Sequence, residues 1–360
     1  MAMTNKILIV GAGPTGLTAA LELARRGIAV DIIDRDNGPT PLSKAVGISS
    51  HSLDVLEPSG VTPRLLADGI KVTRGHAWYE DRKLATIDFS ILPHRFNFLL
   101  SLPQSETETT MMHVLSTMGT HVKRRTALVA LRQAGDRVDV SLDGPEGRVE
   151  ANYDYVYGAD GVDSTVRKAV GLSFDGYTHS RIWSIADAEI VDWPYERDVA
   201  QLFLHAGGDL GFAIPIGDKR FRVVSNTHDA LARIPGRHRV LRTDTFHIPV
   251  RQAPRYQDGR VFLGGDAAHV HSPVGARGMN LGIEDAACFA SRLARSGLDG
   301  YTGERSPIGA RWMKLSERIL AVAQCTGPGV VTMRNLAFRV LGNLSSLQRP
   351  LVERVAGLQE

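Results

Sequence analysis

The chain has 360 residues, 43% hydrophobic and 22% charged, which excludes a disordered or low-complexity polypeptide and leaves room for two or three packed lobes. Its net charge is only +3, and the longest basic run, Lys123-Arg124-Arg125, reads as solvated surface, so no nucleic-acid partner is expected. No apolar run approaches the ~18 residues that span a bilayer, and the apolar stretch at residues 7–10 is too short for a signal sequence, so a cytoplasmic protein without a membrane span is expected.

Lys6-Ile-Leu-Ile-Val10 reads as a buried parallel strand. Gly11-Ala-Gly-Pro-Thr-Gly16 follows without a gap, then a helical pattern over residues 17–26, closed by Gly27. Residues 28–33 form a second apolar strand ending at Asp34, with Arg35 next. That order is what a dinucleotide fingerprint requires. Gly11 allows the tight turn, Gly13 lets backbone approach a pyrophosphate, and Gly16 lets helix pack on strand. The helix N-terminus offers its amides to phosphate, and Asp34 can accept from ribose hydroxyls. This motif alone does not choose between FAD and NAD(P).

Residues 71–99 alternate like strands. A short strand at residues 154–157 leads into Gly158-Ala-Asp-Gly-Val-Asp-Ser-Thr-Val-Arg167. Residues 176–255 alternate again, with turns at Gly207-Gly208-Asp209 and Gly217-Asp218-Lys219. Arg260-Val-Phe-Leu-Gly264 is a further strand, entering Gly265-Asp-Ala-Ala-His-Val-His-Ser-Pro-Val-Gly-Ala-Arg-Gly-Met-Asn280, and residues 281–295 read as a helix. Cys288 and Cys325 match no metal or redox spacing, and His269 and His271 lack further ligands, so no metal is expected. Ile308, Trp312, Leu315, Ile319 and Val322 recur at helical spacing in a C-terminal helical region, residues 301–360.

Taken together, GAGPTG, GADGVDSTVR and GDAAHVHSPVGARGMNLGIEDA resemble, in order and spacing, the single-component FAD-dependent aromatic hydroxylases, the para-hydroxybenzoate hydroxylase-like group A flavoprotein monooxygenases. The resemblance covers at least residues 5–300. It implies an α/β fold with α+β inserts: a Rossmann-like FAD-binding domain over residues 1–70, 100–175 and 256–300, a mixed β-sheet substrate domain over 71–99 and 176–255, and the C-terminal helices. An extra thioredoxin-like domain of larger relatives is not expected, and neither a second GxGxxG nor CxxxxC is present. For the cofactor the resemblance implies Gly11, Ala12, Gly13, Pro14, Thr15, Gly16, Asp34, Arg35, Lys44 (where the family usually has arginine), Gln104 toward the ribityl chain, Leu128 toward adenine, and Asp160 toward both FAD and NAD(P)H. The resemblance implies that Arg167 braces a loop or a phosphate, with a purely structural ion pair as the alternative. Late in the chain it implies Gly265, Asp266 on a ribityl hydroxyl, Pro273, Gly275, Gly278, Met279 and Asn280. The loop over residues 273–278 lacks bulk, so an isoalloxazine can lie against backbone, and the helix beginning near Met279 points its dipole at the flavin. Ser105 and Glu108 read as a capping box.

The resemblance implies an FAD monooxygenase using NADPH or NADH as transient reductant and dioxygen, through a flavin C4a-hydroperoxide, to hydroxylate a small phenolic aromatic. The catalytic candidates are Arg220 or Arg222 in one strand, His247, and Pro273. His76, Tyr79, Arg181 and His205 are further substrate-side polar groups, and Trp78, Trp183, Phe203, Phe212 and Pro215 pocket candidates. Epoxidation, Baeyer–Villiger insertion, oxidative decarboxylation and a non-catalytic flavin-loaded binding protein stand as alternatives. Halogenation is disfavoured, because the WxWxIP segment of flavin halogenases is absent. Oligomeric state is not legible.

Overall fold

The computed structural model describes residues 5–39, 45–295 and 297–359. The six-stranded sheet forms first in sequence logic. Its strands run in the order Gln257–Asp258, Val261–Leu263, Tyr155–Gly158, Ile7–Val10, Val30–Ile33, Val122–Lys123, all parallel except the first pair. Ile7–Val10 sits at its centre with every residue buried, as an uninterrupted apolar run should. Helices Pro14–Ala24, Gln104–Thr117 and Gly278–Ala294 pack with this sheet into one core. Three strands drawn from positions more than 100 residues apart thus meet side by side, which brings the three glycine motifs to one end of one sheet.

The two alternating inserts share a seven-stranded mixed sheet, ordered His238–Phe246, Trp183–Ile190, Arg220–Ser225, Leu210–Pro215, Ala200–Leu204, Arg74–Tyr79, Arg82–Asp88. Its one parallel junction, Ala200–Leu204 beside Arg74–Tyr79, is where the inserts join. Each face carries its own cluster. One holds Trp183, Ile185, Leu210, Val224, Val274 and Leu320; the other holds Phe203, Phe221, Val223 and Trp193. A three-stranded sheet of Asp175–Thr178, Pro249–Gln252 and His269–Val270 ties the seven-stranded sheet to the late glycine loop. Ala127–Ala134, Arg137–Gly144 and Gly147–Tyr153 form a separate antiparallel sheet.

Three local expectations change. The first helix begins at Pro14, inside the fingerprint, and the late helix begins at Gly278. The helix after Leu102 starts at Gln104 with Pro103 as N-cap, two residues earlier than the Ser105/Glu108 capping box requires; Glu108 instead accepts from Gln104 Nε2 at 2.7 Å. Helix Tyr301–Ala323 buries Arg305, Gly309, Trp312, Ser316, Leu320 and Ala323, whereas Val322 is exposed. Only Trp312 of the expected apolar stripe lies in the buried row, because Tyr256 and His269 pack against Gly309 and Arg305 is drawn inward by acids. Among the described residues no helix is long and apolar enough to cross a membrane.

Candidate active site

At the fingerprint, the glycines are required by contact. Gly11 has φ +102°, and a Cβ there would lie 2.3 Å from the Ala159 carbonyl oxygen. A Cβ on Gly16 would lie 1.9 Å from the Gly11 oxygen. Gly13 differs: it is extended, is the N-cap of Pro14–Ala24 with no side chain capping it, and its missing Cβ faces nothing nearer than Glu108 Oε1 at 3.9 Å. Beside it the helix presents first-turn amides and the positive end of its dipole to open space. Thr15 faces inward, where its Oγ1 would meet a Cβ on Gly265 at 2.4 Å, so the first and third motifs touch. Asp34 Oδ2 accepts from Ala12 N at 2.6 Å and Oδ1 from Asp36 N at 2.8 Å, so this carboxylate also braces the turn. Arg124 approaches it at 3.6 Å, and Arg35 is exposed alongside.

The middle motif is a brace. Asp160 accepts from Ser164 Oγ and from the amides of Thr165 and Val166 at 2.5–3.1 Å, at the start of helix Thr165–Ala169. Burial raises its pKa, and those donors work against the rise. Arg167 is buried, stacked 3.8 Å over Phe174, and donates to the carbonyls of Ala267 and Val162. It therefore ties the middle motif to the late one by backbone carbonyls.

In the late motif Asp266 is exposed between buried Gly265 and Ala267, at the mouth of the sheet. The loop after it runs over exposed Pro273 and through Gly275 at φ +90° and Ala276 at φ +54°, a left-handed conformation that costs an alanine about 1 kcal/mol. Asn280 holds that loop: Nδ2 donates to Ala276 O at 2.6 Å and Gly47 O at 3.0 Å, and Oδ1 accepts from Ser49 N at 2.9 Å. Its amide is engaged within the protein, so any cofactor contact there falls to the neighbouring backbone, including that of half-buried Met279. His271 is buried with Nδ1 donating to Ser272 O at 2.8 Å, while His271 Nε2 and Ser272 Oγ are buried without a hydrogen-bond partner. Burial pushes His271 down to about 4.

A family model described as FAD binding domain matches residues 4–228 and 218–316. An uncharacterized aromatic compound monooxygenase, YhjG, of Bacillus subtilis (strain 168) is 31% identical over 92% of this chain and 71% of its own length. The chain belongs to the FAD-dependent aromatic monooxygenases. A 12-dehydrotetracycline 5-monooxygenase/anhydrotetracycline 6-monooxygenase of Streptomyces rimosus is 31% identical over 94% of this chain and 74% of its own. The structure of the p-nitrophenol 4-monooxygenase PnpA from Pseudomonas putida DLL-E4 superposes with a TM-score of 0.90 at 22% identity, covering 98% of both chains, and so shares the fold. The binding-protein and halogenase alternatives drop away with this assignment.

The residues of this monooxygenase fit FAD. The uncapped helix end at Gly13 suits a pyrophosphate. A Cβ on Gly278 would meet nothing within 4 Å, and the orphaned Ser272 Oγ and His271 Nε2 lie in the same loop, where a flavin ring edge offers both donors and acceptors. A shallow depression of about 460 Å³ on the separate three-stranded sheet, lined by Arg132, Asp139, Glu150 and neighbours, is remote from these motifs and is no part of this site.

The substrate-side candidates sort by face. Arg220 and Arg222 have the same parity and share one face, so depth along the strand separates them. Arg222 is buried, bidentate to Asp187 at 2.7 and 2.8 Å, and donates to Ala45 O at 3.1 Å. Arg220 stands exposed at the strand's start, turned back over Gly217. His247 is exposed and bonded to His179 O, away from the loop, because the chain has already left the sheet at Phe246. Trp183 and Phe212 face the loop-side cluster; Trp78 and Phe203 face the opposite one, and Pro215 takes Ser101 Oγ on its carbonyl. His76 is buried beside Lys83, Tyr79 lies under Arg334, Arg181 pairs with Asp209, and His205 with Glu80. Leu128 is buried in its strand opposite Leu142, an ordinary core residue. Lys44 lies outside the described residues.

Residue-type reasoning passed over a buried ionic network behind the late motif. Asp285 Oδ2 accepts from His269 Nε2 at 2.7 Å and from Gly265 N at 3.0 Å, and Oδ1 accepts from Arg305 Nε at 2.7 Å. Glu284 pairs with Arg277 at 2.8 Å and Arg305 at 3.3 Å. Burial pushes Asp285 upward, but Arg305 and His269 outweigh it and leave it at about 2. The signal was available: Glu284-Asp285 falls inside an otherwise apolar helical stretch, where two adjacent acids demand partners.

Proposed function

We propose that this monooxygenase hydroxylates an electron-rich aromatic, phenolic or polycyclic, held between the late glycine loop and the inner face of the seven-stranded sheet. The observation that carries this reading is Val274. It projects from the loop into a cluster with Trp183, Ile185, Leu210, Val224, Ile248 and Leu320. A flat apolar ring binds such a wall by burial, at roughly 25 cal/mol per Å². The relative named for 12-dehydrotetracycline and anhydrotetracycline supports a polycycle of this kind.

When bound, FAD reduced by NADPH or NADH supplies the activation of dioxygen. The protein's residues do the rest. Gly11, Gly13 and the first turn from Pro14 to Gly16 hold the pyrophosphate, Asp34 and Arg35 the adenosine end, and Asp266 a ribityl hydroxyl. The apolar wall excludes water from the reacting centre. One row further along the same face, Arg222 with Asp187 and Arg242 (3.3 Å from Asp187) forms its polar end and anchors the Ala45 loop against the sheet. The phenol oxygen is oriented toward that row, and a nearby cation favours its ionised, more nucleophilic form. Residues 1–70, 100–175 and 256–300 serve the cofactor, 71–99 and 176–255 the substrate.

The test is consumption of NADPH and NADH by FAD-loaded protein over a panel of phenols and polycyclic phenols, with product masses. Stimulated consumption and a product one oxygen heavier, hydroxylated on the ring, are expected. Bound FAD that is reduced at one slow rate whatever aromatic is added, with no oxygen incorporated, refutes the proposal; an oxygen inserted beside a carbonyl or across a double bond replaces hydroxylation with the corresponding alternative.

A further inference from the structure

Asp266 can grip the cofactor only if the turn carrying it is held, and its own neighbours are glycine and alanine. Gly265 sits at φ +57°, with no side chain to lock it. Its amide is fixed from behind by Asp285 Oδ2, which also takes His269 Nε2. Asp285 is buried on helix Gly278–Ala294, and its other oxygen is held by Arg305 of helix Tyr301–Ala323. The His269 ring in turn stacks on Tyr256, centroids 5.5 Å apart and 21° from parallel. The three bonds of Asp285 end on Gly265, on His269 and on Arg305 of the helix behind.

We propose that Asp285, through Gly265 N and His269, is a positioning residue for the flavin-side loop: it sets how tightly this chain holds FAD without touching it. The inference rests on the FAD site proposed above. The chemistry is specific to a carboxylate. In Asp285→Asn one acceptor oxygen becomes a donor. If the NH2 faces Gly265, that buried amide loses its acceptor; if it faces Arg305, donor meets donor. Either placement loosens the turn at Gly265–Asp266. Thr15 of the fingerprint helix packs against Gly265, but the fingerprint turn has hydrogen bonds of its own, from Gly11 N to Ile33 O at 2.9 Å and from Ala12 N to Asp34 Oδ2 at 2.6 Å, so the two turns are tied by separate bonds.

That separation gives the experiment. FAD and ADP dissociation constants are measured on wild-type and Asp285→Asn apoprotein, FAD by fluorescence quenching and ADP by calorimetry, ADP being the half that engages the fingerprint alone. Asp285→Asn should weaken FAD by roughly tenfold or more while leaving ADP affinity unchanged. Unchanged FAD affinity overturns the proposal, and so does equal weakening of FAD and ADP, which marks a general structural role. Should Asp285→Asn not fold, His269→Phe keeps the stack on Tyr256, removes one donor to Oδ2, and carries the same outcomes. Wild-type protein that binds neither FAD nor ADP would instead overturn the underlying site.

Discussion

Burial of His271 beside the late glycine loop makes a prediction whose size follows from the structure. Its Nδ1 donates to Ser272 O, and its Nε2 is buried with no partner, so the folded chain holds the neutral ring, with a pKa of about 4 against 6.5 for the ordinary group. The sign follows from proton counting. Above pH 6.5 the ring is neutral folded and unfolded, and its contribution is fully present. As pH falls toward 4 the unfolded chain takes the proton and the folded chain does not, so stability is lost. Between pH 7.5 and 4.5 the loss is about 2.5 kcal/mol, at ~1.36 kcal/mol per pKa unit. With an unfolding entropy of ~2.1 cal/mol/K per residue, that is roughly 3 °C in Tm for a chain of this size. Because other groups titrate in the same range, the measurement is a difference: Tm of wild type minus Tm of His271→Phe, at pH 7.5 and 4.5. The difference should shift by about 3 °C in favour of the variant at the lower pH. A pH-independent difference would show that this imidazole is solvated and that the loop is not closed around it.

Gly16→Ala places a Cβ against the Gly11 oxygen, a contact that backbone cannot relieve, and should abolish FAD retention in the purified protein; a variant that purifies with full FAD content refutes the fingerprint geometry. Arg222→Ala leaves Asp187 with Arg242 alone and should cost about 3 kcal/mol, the low end for breaking a buried pair, measured by urea unfolding. Arg220→Ala, at an exposed strand end, should stay within about 0.5 kcal/mol of wild type; equal losses from the two would refute the depth assignment along their strand.

The frame of this molecule was legible because it is written in local rules. A fully apolar strand, a glycine turn and a helix are adjacent in sequence at residues 7–24, and the same grammar recurs at 155–169 and 261–294. What local rules did not carry was the second partner of each polar group. Asn280 reads as a cofactor ligand until Gly47 and Ser49, more than 230 residues away, are found to take its amide. Asp160 likewise takes three donors, Ser164 Oγ and the amides of Thr165 and Val166, that the motif alone does not reveal. Helix Tyr301–Ala323 was placed correctly but faced wrongly, since apolar periodicity has no means of expressing that an arginine and a glycine belong inside. The two strand arginines differ by depth alone, which a period of two cannot resolve.

The buried charges behind the late loop explain why a site so poor in side chains can be precise. A loop that must lie flat against a ring has to be made of glycine, alanine and proline, and such a loop has little of its own to fix its shape. Stiffness has to arrive from outside. Here Asp285 fixes Gly265, Asn280 fixes Ala276, and Arg167 fixes Ala267, each by hydrogen bonds to backbone from a neighbouring element. Replacing such an ion network by apolar residues is often neutral or better for stability, so stability alone gives no reason for Asp285 and Arg305 to be charged. Directional bonds to main-chain groups do give one, since no apolar residue can hold an amide or a carbonyl at a set angle. The physical logic of the site is therefore a bare surface offered to the cofactor and a charged scaffold, one layer back, that keeps the surface still.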